Sequence, residues 1–355
     1  MIQLVPFDDA LASSDDPTKR TVLLGNGFSV ACRPDIFRYD AIFGLFLAKV
    51  PPLDAQRVRS VFDAFETRDF EEVLRSLLRF AAIGPHYGFP PNATGALRQD
   101  ASLIRDGLVG ALAGHHPNGP QDVDDSEFLA CATFLKNFAS IYTLNYDLLL
   151  YWTVLNQSLD GHFRDGFGEP EGGAAQYVEW ELGSETNANI HYLHGALHLF
   201  AAGSRVRKLS WRRTGKPLKD QILDQINAGR FPLFVAEGTA EGKKTTITRN
   251  GYLSRSYRSF QSKSGDLFVF GCSLGSSDQH IADAIGRGKW RRLFVGIYGD
   301  PGSAANTALL ASCETLRETI SARGGLRQRK STREITYFDA ASAQVWGTST
   351  QGSPP

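Results

Sequence analysis

The sequence predicts an α/β fold, in which a mainly parallel sheet is covered by helices on both faces. Two observations support this prediction: short apolar runs typical of buried strands recur along the chain, and segments with helical periodicity separate them. Strands that alternate with helices are typical of parallel sheets whose two faces are covered. Ligands of such sheets bind beyond the carboxyl ends of the strands, so we expect functional residues at those ends.

The predicted strands are short apolar runs, and most of them are followed by glycine or by a polar residue. The first run ends in a Gly-Asn-Gly turn, as expected for a buried strand that leads into a helix. The strands are predicted at residues 21–24, 140–144, 189–193, 231–236, 266–270, 292–297 and 334–338.

The predicted helices alternate with these strands over most of the chain. In residues 70–78 the apolar positions follow the spacing of one helix face, and glutamates in the first turn suit the helix dipole. The helices are predicted at residues 70–78, 101–112, 127–138, 146–156, 219–227, 276–285 and 304–322.

The bulk composition is that of a soluble globular protein. The chain has 355 residues, enough for one large α/β domain with insertions or for two ordinary domains. Its net charge of zero indicates neither direct nucleic-acid binding nor membrane-surface binding. No apolar stretch approaches the roughly twenty residues of a membrane span, and the N-terminus lacks the features of a signal peptide.

The four cysteines are scattered and form no Cys-x-x-Cys pair. A structural zinc site and a disulfide framework are therefore not expected. Together with the N-terminus, this pattern predicts a cytoplasmic protein whose thiols are reduced and mostly buried.

The first strand end with polar chemistry is residues 24–29, Leu-Gly-Asn-Gly-Phe-Ser. Glycines let the backbone approach a phosphate closely, and the N–H groups of the following helix can bind the anion. Ser29 can add a hydroxyl donor. The same pattern also fits an ordinary tight turn, and the third glycine of the usual dinucleotide fingerprint is missing.

The second strand end is residues 142–147, Tyr-Thr-Leu-Asn-Tyr-Asp, followed by a very apolar helix. Asn145 or Asp147 can simply cap that helix. An amide both donates and accepts hydrogen bonds, however, so Asn145 can also hold a ribose hydroxyl or a water molecule.

The third strand end is residues 191–198, His-Tyr-Leu-His-Gly-Ala-Leu-His. Strand alternation places His194 on the face opposite Leu193, and Gly195 allows a sharp turn beside it. Histidine can accept a proton from a sugar hydroxyl near neutral pH. The alternatives are a buried, hydrogen-bonded histidine and a metal ligand. No carboxylate or cysteine stands at ligand spacing in this segment, so no metal is expected.

The fourth strand end is residues 267–280, in which the strand leads into Gly-Cys-Ser-Leu-Gly-Ser-Ser-Asp-Gln-His. Such a loop can bind a second phosphate or an adenosine ribose, or can simply cap the next helix. A catalytic Ser-His-Asp set is disfavoured because the Gly-x-Ser-x-Gly elbow of α/β hydrolases is missing.

Taken in order, the four motifs resemble the SIR2-like, or sirtuin-like, superfamily. They are Gly-x-Gly-x-Ser, Thr-x-Asn-Tyr-Asp, Leu-His-Gly and Gly-x-Ser-x-x-x-x-Asp-x-His. The closer resemblance is to bacterial SIR2-like proteins, including the group known as domain of unknown function 4917. Residues 67–74 (Thr-Arg-Asp-Phe-Glu-Glu-Val-Leu) and 234–239 (Phe-Val-Ala-Glu-Gly-Thr) are also typical of that group, and the resemblance spans residues 21–346.

The resemblance implies a Rossmann-like fold that binds NAD and cleaves the bond between nicotinamide and ribose. Its span implies an N-terminal extension at 1–20 and an NAD-binding domain at 21–346 with a helical insertion at about 40–137. The remaining residues, 347–355, are small, polar and proline-ended, so a flexible tail is expected there. Bacterial relatives are commonly NAD-depleting effectors of anti-phage defence. A homo-oligomer is therefore expected, with a HerA-like ATPase, an Argonaute-type protein or a phage component as activator.

The resemblance also assigns roles to individual residues. Asn145 would order the nicotinamide ribose and a water, Asp147 would support that loop, and His194 would act on the ribose hydroxyls as a general base or hydrogen-bond partner. The residues expected to bind the cofactor are Gly25, Asn26, Gly27 and Ser29 near the pyrophosphate, and Gly271, Ser273 and Leu274 near the adenosine ribose.

Two departures from the protein-deacylating sirtuins narrow the expected activity. The chain lacks their zinc module, and residues 34–40 match the loop that leads to their peptide cleft only faintly. Hydrolysis of NAD to nicotinamide and ADP-ribose needs only NAD and water, so it is the leading hypothesis. The alternatives are protein ADP-ribosyl transfer or deacylation, and an NAD- or ADP-ribose-binding regulatory module without turnover. Phosphate binding requires neither Asn145 nor His194, so the presence of both favours an enzyme.

Overall fold

A six-stranded, fully parallel sheet forms the centre of the fold, with strand order β4-β2-β1-β7-β8-β9. The structure is a computed structural model that describes residues 2–48, 50–68, 70–168, 176–180, 182–183, 187–228, 230–235, 239–323 and 334–347. The strands are β1 (Arg20–Leu24), β2 (Ser140–Thr143), β3 (Tyr177–Trp180), β4 (Ile190–Tyr192), β5 (Leu199–Ala202), β6 (Arg205–Leu209), β7 (Ser264–Phe270), β8 (Lys289–Ile297) and β9 (Glu334–Asp339).

Helices cover the sheet, and this arrangement confirms the predicted α/β, Rossmann-like fold. The α-helices are α1 (Phe7–Ser13), α2 (Asn26–Cys32), α3 (Pro34–Phe37), α4 (Tyr39–Leu47), α5 (Pro52–Ala64), α6 (Phe70–Ile83), α7 (Pro91–His115), α8 (Asp125–Leu135), α9 (Leu149–Asn156), α10 (Trp211–Thr214), α11 (Leu218–Asn227), α12 (Ala240–Arg249), α13 (Gly251–Ser262), α14 (Gln279–Arg287) and α15 (Ala304–Arg323). Short 3-10 turns occupy Pro17–Lys19, Gly84–Tyr87, Pro120–Asp122, Ser276–Asp278 and Ala341–Ala343. No helix among the described residues is long and apolar enough to cross a membrane.

The register of the central strands brings four loops to one edge of the sheet. β1 lies between β2 and β7, and Leu24 at its end stands opposite both Thr143 and Phe270. Thr143 in turn stands opposite Tyr192 of β4. Because parallel strands end at the same edge, the loops that follow β1, β2, β4 and β7 meet there.

The central strands are apolar on both faces because helices cover both. Val22, Leu23 and Leu24 of β1 have no exposed surface, and Phe268 of β7 is equally buried. A strand buried on both sides has a continuous apolar sequence rather than an alternating one, as these strands do.

The N-terminal residues pack against the sheet beside its last strand. Val5 forms a bridge with Phe338, and the ring of Phe7 contacts those of Phe134, Phe268 and Phe338. Phe7 is therefore part of the hydrophobic core. At the other end of the chain, residues 348–355 of the predicted tail lie outside the described residues.

Helices α2 to α8 connect β1 to β2 and include the segment predicted as a helical insertion. The rings of Phe43, Phe46 and Phe62 all contact Phe70, so α4, α5 and α6 share one aromatic core. This helical layer extends over the edge of the sheet at which the four loops meet.

One predicted strand is wrong, and one sheet was not predicted. Of residues 231–236, position 236 lies outside the described residues, and the rest forms only an isolated bridge between Phe234 and Gly195. The segment hydrogen-bonds to the loop after β4, through Val235 N–H to His194 O at 3.0 Å, instead of joining the parallel sheet. The unpredicted sheet is antiparallel, with order β3-β6-β5.

Candidate active site

The four loops enclose a cleft with a cavity of about 290 Å³. It lies at the edge where the sheet order reverses direction around β1, as expected for a ligand site of this fold. Eight of the ten predicted site residues line it: Gly25, Asn26, Gly27, Asn145, Asp147, His194, Gly271 and Ser273. The other two, Ser29 and Leu274, do not line the cavity and are buried.

The glycines of the first and fourth loops let the two backbones touch. Gly27 N–H donates to Gly271 O at 2.9 Å, and Gly25 N–H donates to Phe270 O at 2.9 Å. A Cβ on Gly27 would lie 2.6 Å from the Cα of Gly271, and Gly271 has a φ of +68°. The glycines are therefore required for loop packing, and the Gly27 N–H group is already bonded to protein rather than free for a phosphate.

Ser29 joins the second loop to helix α2 through a buried hydrogen-bond chain. Asn145 Nδ2 donates to Ser29 Oγ at 2.8 Å, and Ser29 Oγ donates to a carboxylate oxygen of Asp147. The other oxygen of Asp147 accepts from Leu149 N–H at 2.9 Å, at the start of α9. Ser29 thus lies behind the cavity wall and fixes Asn145 and Asp147 in place.

These hydrogen bonds leave the amide oxygen of Asn145 available to the cavity. Its Nδ2 is used by Ser29, and its backbone N–H donates to Thr143 Oγ1 at 3.0 Å. Burial raises the pKa of Asp147 above its usual range, although the bonds from Ser29 and Leu149 oppose part of that rise. Its hydrogen bonds to Ser29 and Leu149 make Asp147 a structural support for the loop.

His194 follows β4 and is almost fully buried, with 1% of its surface exposed. Gly195 turns the chain beside it with a φ of +82°, and the carbonyl of Leu233 would lie 1.9 Å from a Cβ at that position. Burial lowers the pKa of His194 well below its usual range, and nearby Lys243 and His280 lower it further. The imidazole is therefore neutral at physiological pH.

A polar cluster of two buried residues and one half-buried carboxylate surrounds His194, and its members were not assigned to the site from the sequence. His194 Nε2 lies 2.9 Å from His280 Nε2 and 3.9 Å from Asp278 Oδ1. Lys243, which has no exposed surface, donates from Nζ to the same Asp278 oxygen at 2.9 Å. The spacing Asp-x-His in the fourth motif was the available signal for Asp278 and His280, whereas nothing in the sequence of α12 marked Lys243.

Three members of this cluster have the spacing of a metal site. One ligand atom from each of His194, Asp278 and His280 lies within 4.8 Å of the other two. No metal was expected, because residues 191–198 contain no carboxylate. The fold brings a carboxylate, that of Asp278, from a distant segment. Lys243 already places a positive charge on that carboxylate, and a divalent cation beside the ammonium group would be repelled. The charge balance therefore disfavours a metal at this position.

The opposite wall of the cavity is apolar and comes from the helical layer. It consists of Phe37, Ile42, Phe70, Leu108 and Leu112. A hydrogen bond of 2.9 Å from Arg75 Nη1 to Ser276 Oγ ties α6 to the loop after β7, across the cleft. The helical layer therefore shields the polar loops from bulk water.

A larger cavity of about 570 Å³ lies elsewhere, beside the small antiparallel sheet. None of the ten predicted residues lines it. Its buried ion pair between Lys208 and Asp165 is internally satisfied. Size alone does not mark a site, and the smaller cavity contains the polar groups that converge on one point.

Comparison with known proteins places the chain in a family of unassigned activity. No curated protein matches the sequence. The family model described as domain of unknown function (DUF4917) matches residues 22–346, which is nearly the whole chain. The match includes all four loops of the cleft and the helical layer above them. This protein is therefore a member of the DUF4917 family.

Proposed function

We propose that this protein hydrolyses NAD to nicotinamide and ADP-ribose, as a SIR2-like enzyme. The observation that carries the proposal is the convergence of Asn145 and a neutral His194 on one cleft beside the glycine loops. The order of the four motifs, which resembles that of SIR2-like proteins, supports the same substrate. A protein that only bound phosphates would need neither the amide nor the imidazole.

Cleavage of the bond between nicotinamide and ribose requires few catalytic residues. Nicotinamide leaves as a neutral molecule from a cationic ring, and positive charge develops on the ribose. The amide oxygen of Asn145 and the uncharged ring of His194 suit that charge, and the apolar wall keeps their dipoles effective by excluding water. A neutral His194 can also accept the proton of a ribose hydroxyl or of the attacking water.

The test is chromatography of NAD after incubation with the purified protein, alone and with a candidate HerA-like ATPase or Argonaute-type partner. Asn145→Ala and His194→Ala are each expected to lower turnover at least about 100-fold, a typical loss for such groups. Asn156→Ala and His162→Ala are matched controls, because these residues are exposed and lie outside the cleft.

Three other outcomes would contradict the proposal. Full NAD turnover in both Asn145→Ala and His194→Ala would contradict the assignment of these residues to the active site. Saturable NAD binding without any products would favour a regulatory binding module. Label transferred from NAD to protein, or loss of acyl groups from a peptide, would favour ADP-ribosyl transfer or deacylation. Parallel assays with NADP compare the two dinucleotides.

The same resemblance supports a biological role. We propose a cytoplasmic, homo-oligomeric effector that depletes NAD during phage infection once a partner has assembled it. NAD measured in infected cells should fall with the natural protein and stay constant with the His194→Ala variant. Equal NAD levels in both cultures would contradict the biological role. The hydrolytic activity itself is tested separately, by the assay with purified protein.

A further inference from the structure

Lys243 is a buried cation beside the candidate site, and it is not among the residues that line the cavity. Helix α12 carries it into the interior, and the helix start is fixed by Gly242 N–H donating to Thr239 Oγ1 at 3.0 Å. The Lys243 side chain has no exposed surface, and its ammonium group lies 2.9 Å from Asp278 Oδ1. Removing a lysine from water is costly unless it is paired, so this position needs an explanation.

The carboxylate next to Lys243 is also next to a pair of histidines. Asp278 Oδ1 lies 3.9 Å from His194 Nε2, which in turn lies 2.9 Å from His280 Nε2. The backbone of His280 is held by Tyr257 OH, which donates to its carbonyl at 2.7 Å. The ammonium group, the carboxylate and the two imidazoles therefore lie in a row in space, each next to the following one.

A contact of 2.9 Å between two Nε2 atoms requires one of them to carry a hydrogen and the other to accept it. If both rings were protonated, two like charges would face each other and the hydrogen bond would be lost. An unpaired Asp278 carboxylate would favour that protonation, since an anion stabilises a nearby imidazolium. Lys243 offsets the anion and opposes any further positive charge.

We propose that Lys243 is a positioning residue that, through Asp278, keeps the His194–His280 pair uncharged and hydrogen-bonded. His194 would then act in the reaction as a neutral base with a fixed ring orientation. This part of the inference rests on the proposed function. The charged groups near the two rings are Lys243, Asp278, Asp283 and Lys244. Both shifts are in the direction that the geometry requires: burial is the chief cause of each, the pKa of His280 is lowered to about 4, and that of His194 is lowered well below its usual range.

The deciding variant is Lys243→Met, which preserves much of the side-chain length and removes the charge. Lys244→Met is its matched control, because Lys244 is the next residue on the same helix but is exposed, and its charge has the smallest effect among the groups that act on His280. Imidazole signals are followed by NMR between pH 3.5 and 8 in the natural protein and in both variants, with His194 and His280 assigned through their glutamine variants. We expect both rings to stay neutral at pH 6 in the natural protein and in Lys244→Met. At least one should titrate a pH unit or more higher in Lys243→Met.

The same variant has a kinetic consequence. The acid limb of the kcat profile for NAD should move up by at least one unit in Lys243→Met, so that kcat falls about tenfold at pH values on that limb, below both apparent pKa values, while KM changes little. The NMR titration needs no turnover. It therefore decides the role of Lys243 even if NAD proves not to be the substrate.

A double variant separates charge from packing. Lys243→Met with Asp278→Asn removes both charges and should return the imidazole titration to that of the natural protein, whereas a purely structural role predicts no such rescue. If the single variant does not fold, recovery of a folded protein with neutral rings in the double variant supports the proposal. An unchanged titration in folded Lys243→Met would overturn it. Stimulation of the natural enzyme by Zn²⁺ or Mn²⁺, with loss on chelation, would also overturn it by showing that the cluster holds a metal.

Discussion

Ser29 changes its expected role once the fold is known. Its place after the Gly-x-Gly turn predicted a hydroxyl donor for a phosphate, but the hydroxyl is fully buried and bonded to Asn145 and Asp147. These bonds orient the amide that the proposed reaction uses. The residue therefore contributes to the site through the rigidity of its neighbours rather than through the ligand.

Ser29→Ala should expose that role. It leaves the Nδ2 of Asn145 and one oxygen of Asp147 without partners, and an unsatisfied buried polar group costs about 1–3 kcal/mol. We expect a loss of that size in the free energy of unfolding, measured with urea, and at least a tenfold loss of NAD turnover. Ser262→Ala is the control, because Ser262 is exposed at the end of α13 and bonds only locally, to Ser259 O at 2.9 Å. Equal free energies of unfolding in the two variants would contradict the role of Ser29.

At the scale of elements, backbone hydrogen bonds to residues 233–235 constrain the loop after β4. Ala196 N–H donates to Leu233 O at 3.0 Å, and Val235 N–H donates to His194 O at 3.0 Å. A single segment that is distant in sequence therefore holds the backbone on both sides of Gly195. This pairing also explains why the apolar run at 231–235 does not join the parallel sheet.

Gly195→Ala should break this loop. A non-glycine residue in the left-handed region costs about 1–2 kcal/mol, and here the new Cβ would also meet the Leu233 carbonyl. Gly203→Ala is the matched control, since Gly203 has a φ of +63° but has nothing within 4 Å of its Cβ position. We expect Gly195→Ala to lose at least twice the unfolding free energy that Gly203→Ala loses, together with NAD turnover. Similar losses in the two variants would show that backbone strain alone matters.

At the scale of the whole molecule, the sequence predicts the parallel sheet and the meeting of four loops, because apolar runs followed by glycine or polar residues mark buried strand ends. It does not predict the small antiparallel sheet, since a strand such as Arg205–Leu209 is short and mostly charged. It also misses Lys243, whose helix has little apolar periodicity. The pairing of β3 with β6 and the contact of Lys243 with Asp278 both join segments that are distant in sequence, and local sequence patterns do not indicate such contacts.

The histidines link the site to the stability of the whole fold. Burial lowers the pKa of five of them, with His194 falling well below its usual range. The others are His116, His191 and His280, each lowered to about 4, and His198, lowered to about 3. The unfolded chain takes up these protons near pH 6.5, whereas the folded chain does so only near pH 4 or below. Stability is therefore full above pH 6.5 and is lost as the pH falls below that value.

Urea unfolding at pH 7.5, 6.5, 5.5 and 4.5 should show this loss, with a slope on the order of 1.4 kcal/mol per pH unit for each buried histidine. The raised pKa of Asp147 works in the opposite direction and offsets part of it. His116→Gln should flatten the slope by about one proton, because His116 is buried and its Nε2 only accepts from Leu148 N–H, at 2.9 Å. His162→Gln should leave the slope unchanged, because His162 is exposed. A free energy of unfolding that stays constant between pH 6.5 and 4.5 would mean that the interior accommodates imidazolium, and the neutral His194 on which the proposed chemistry depends would lose its physical basis.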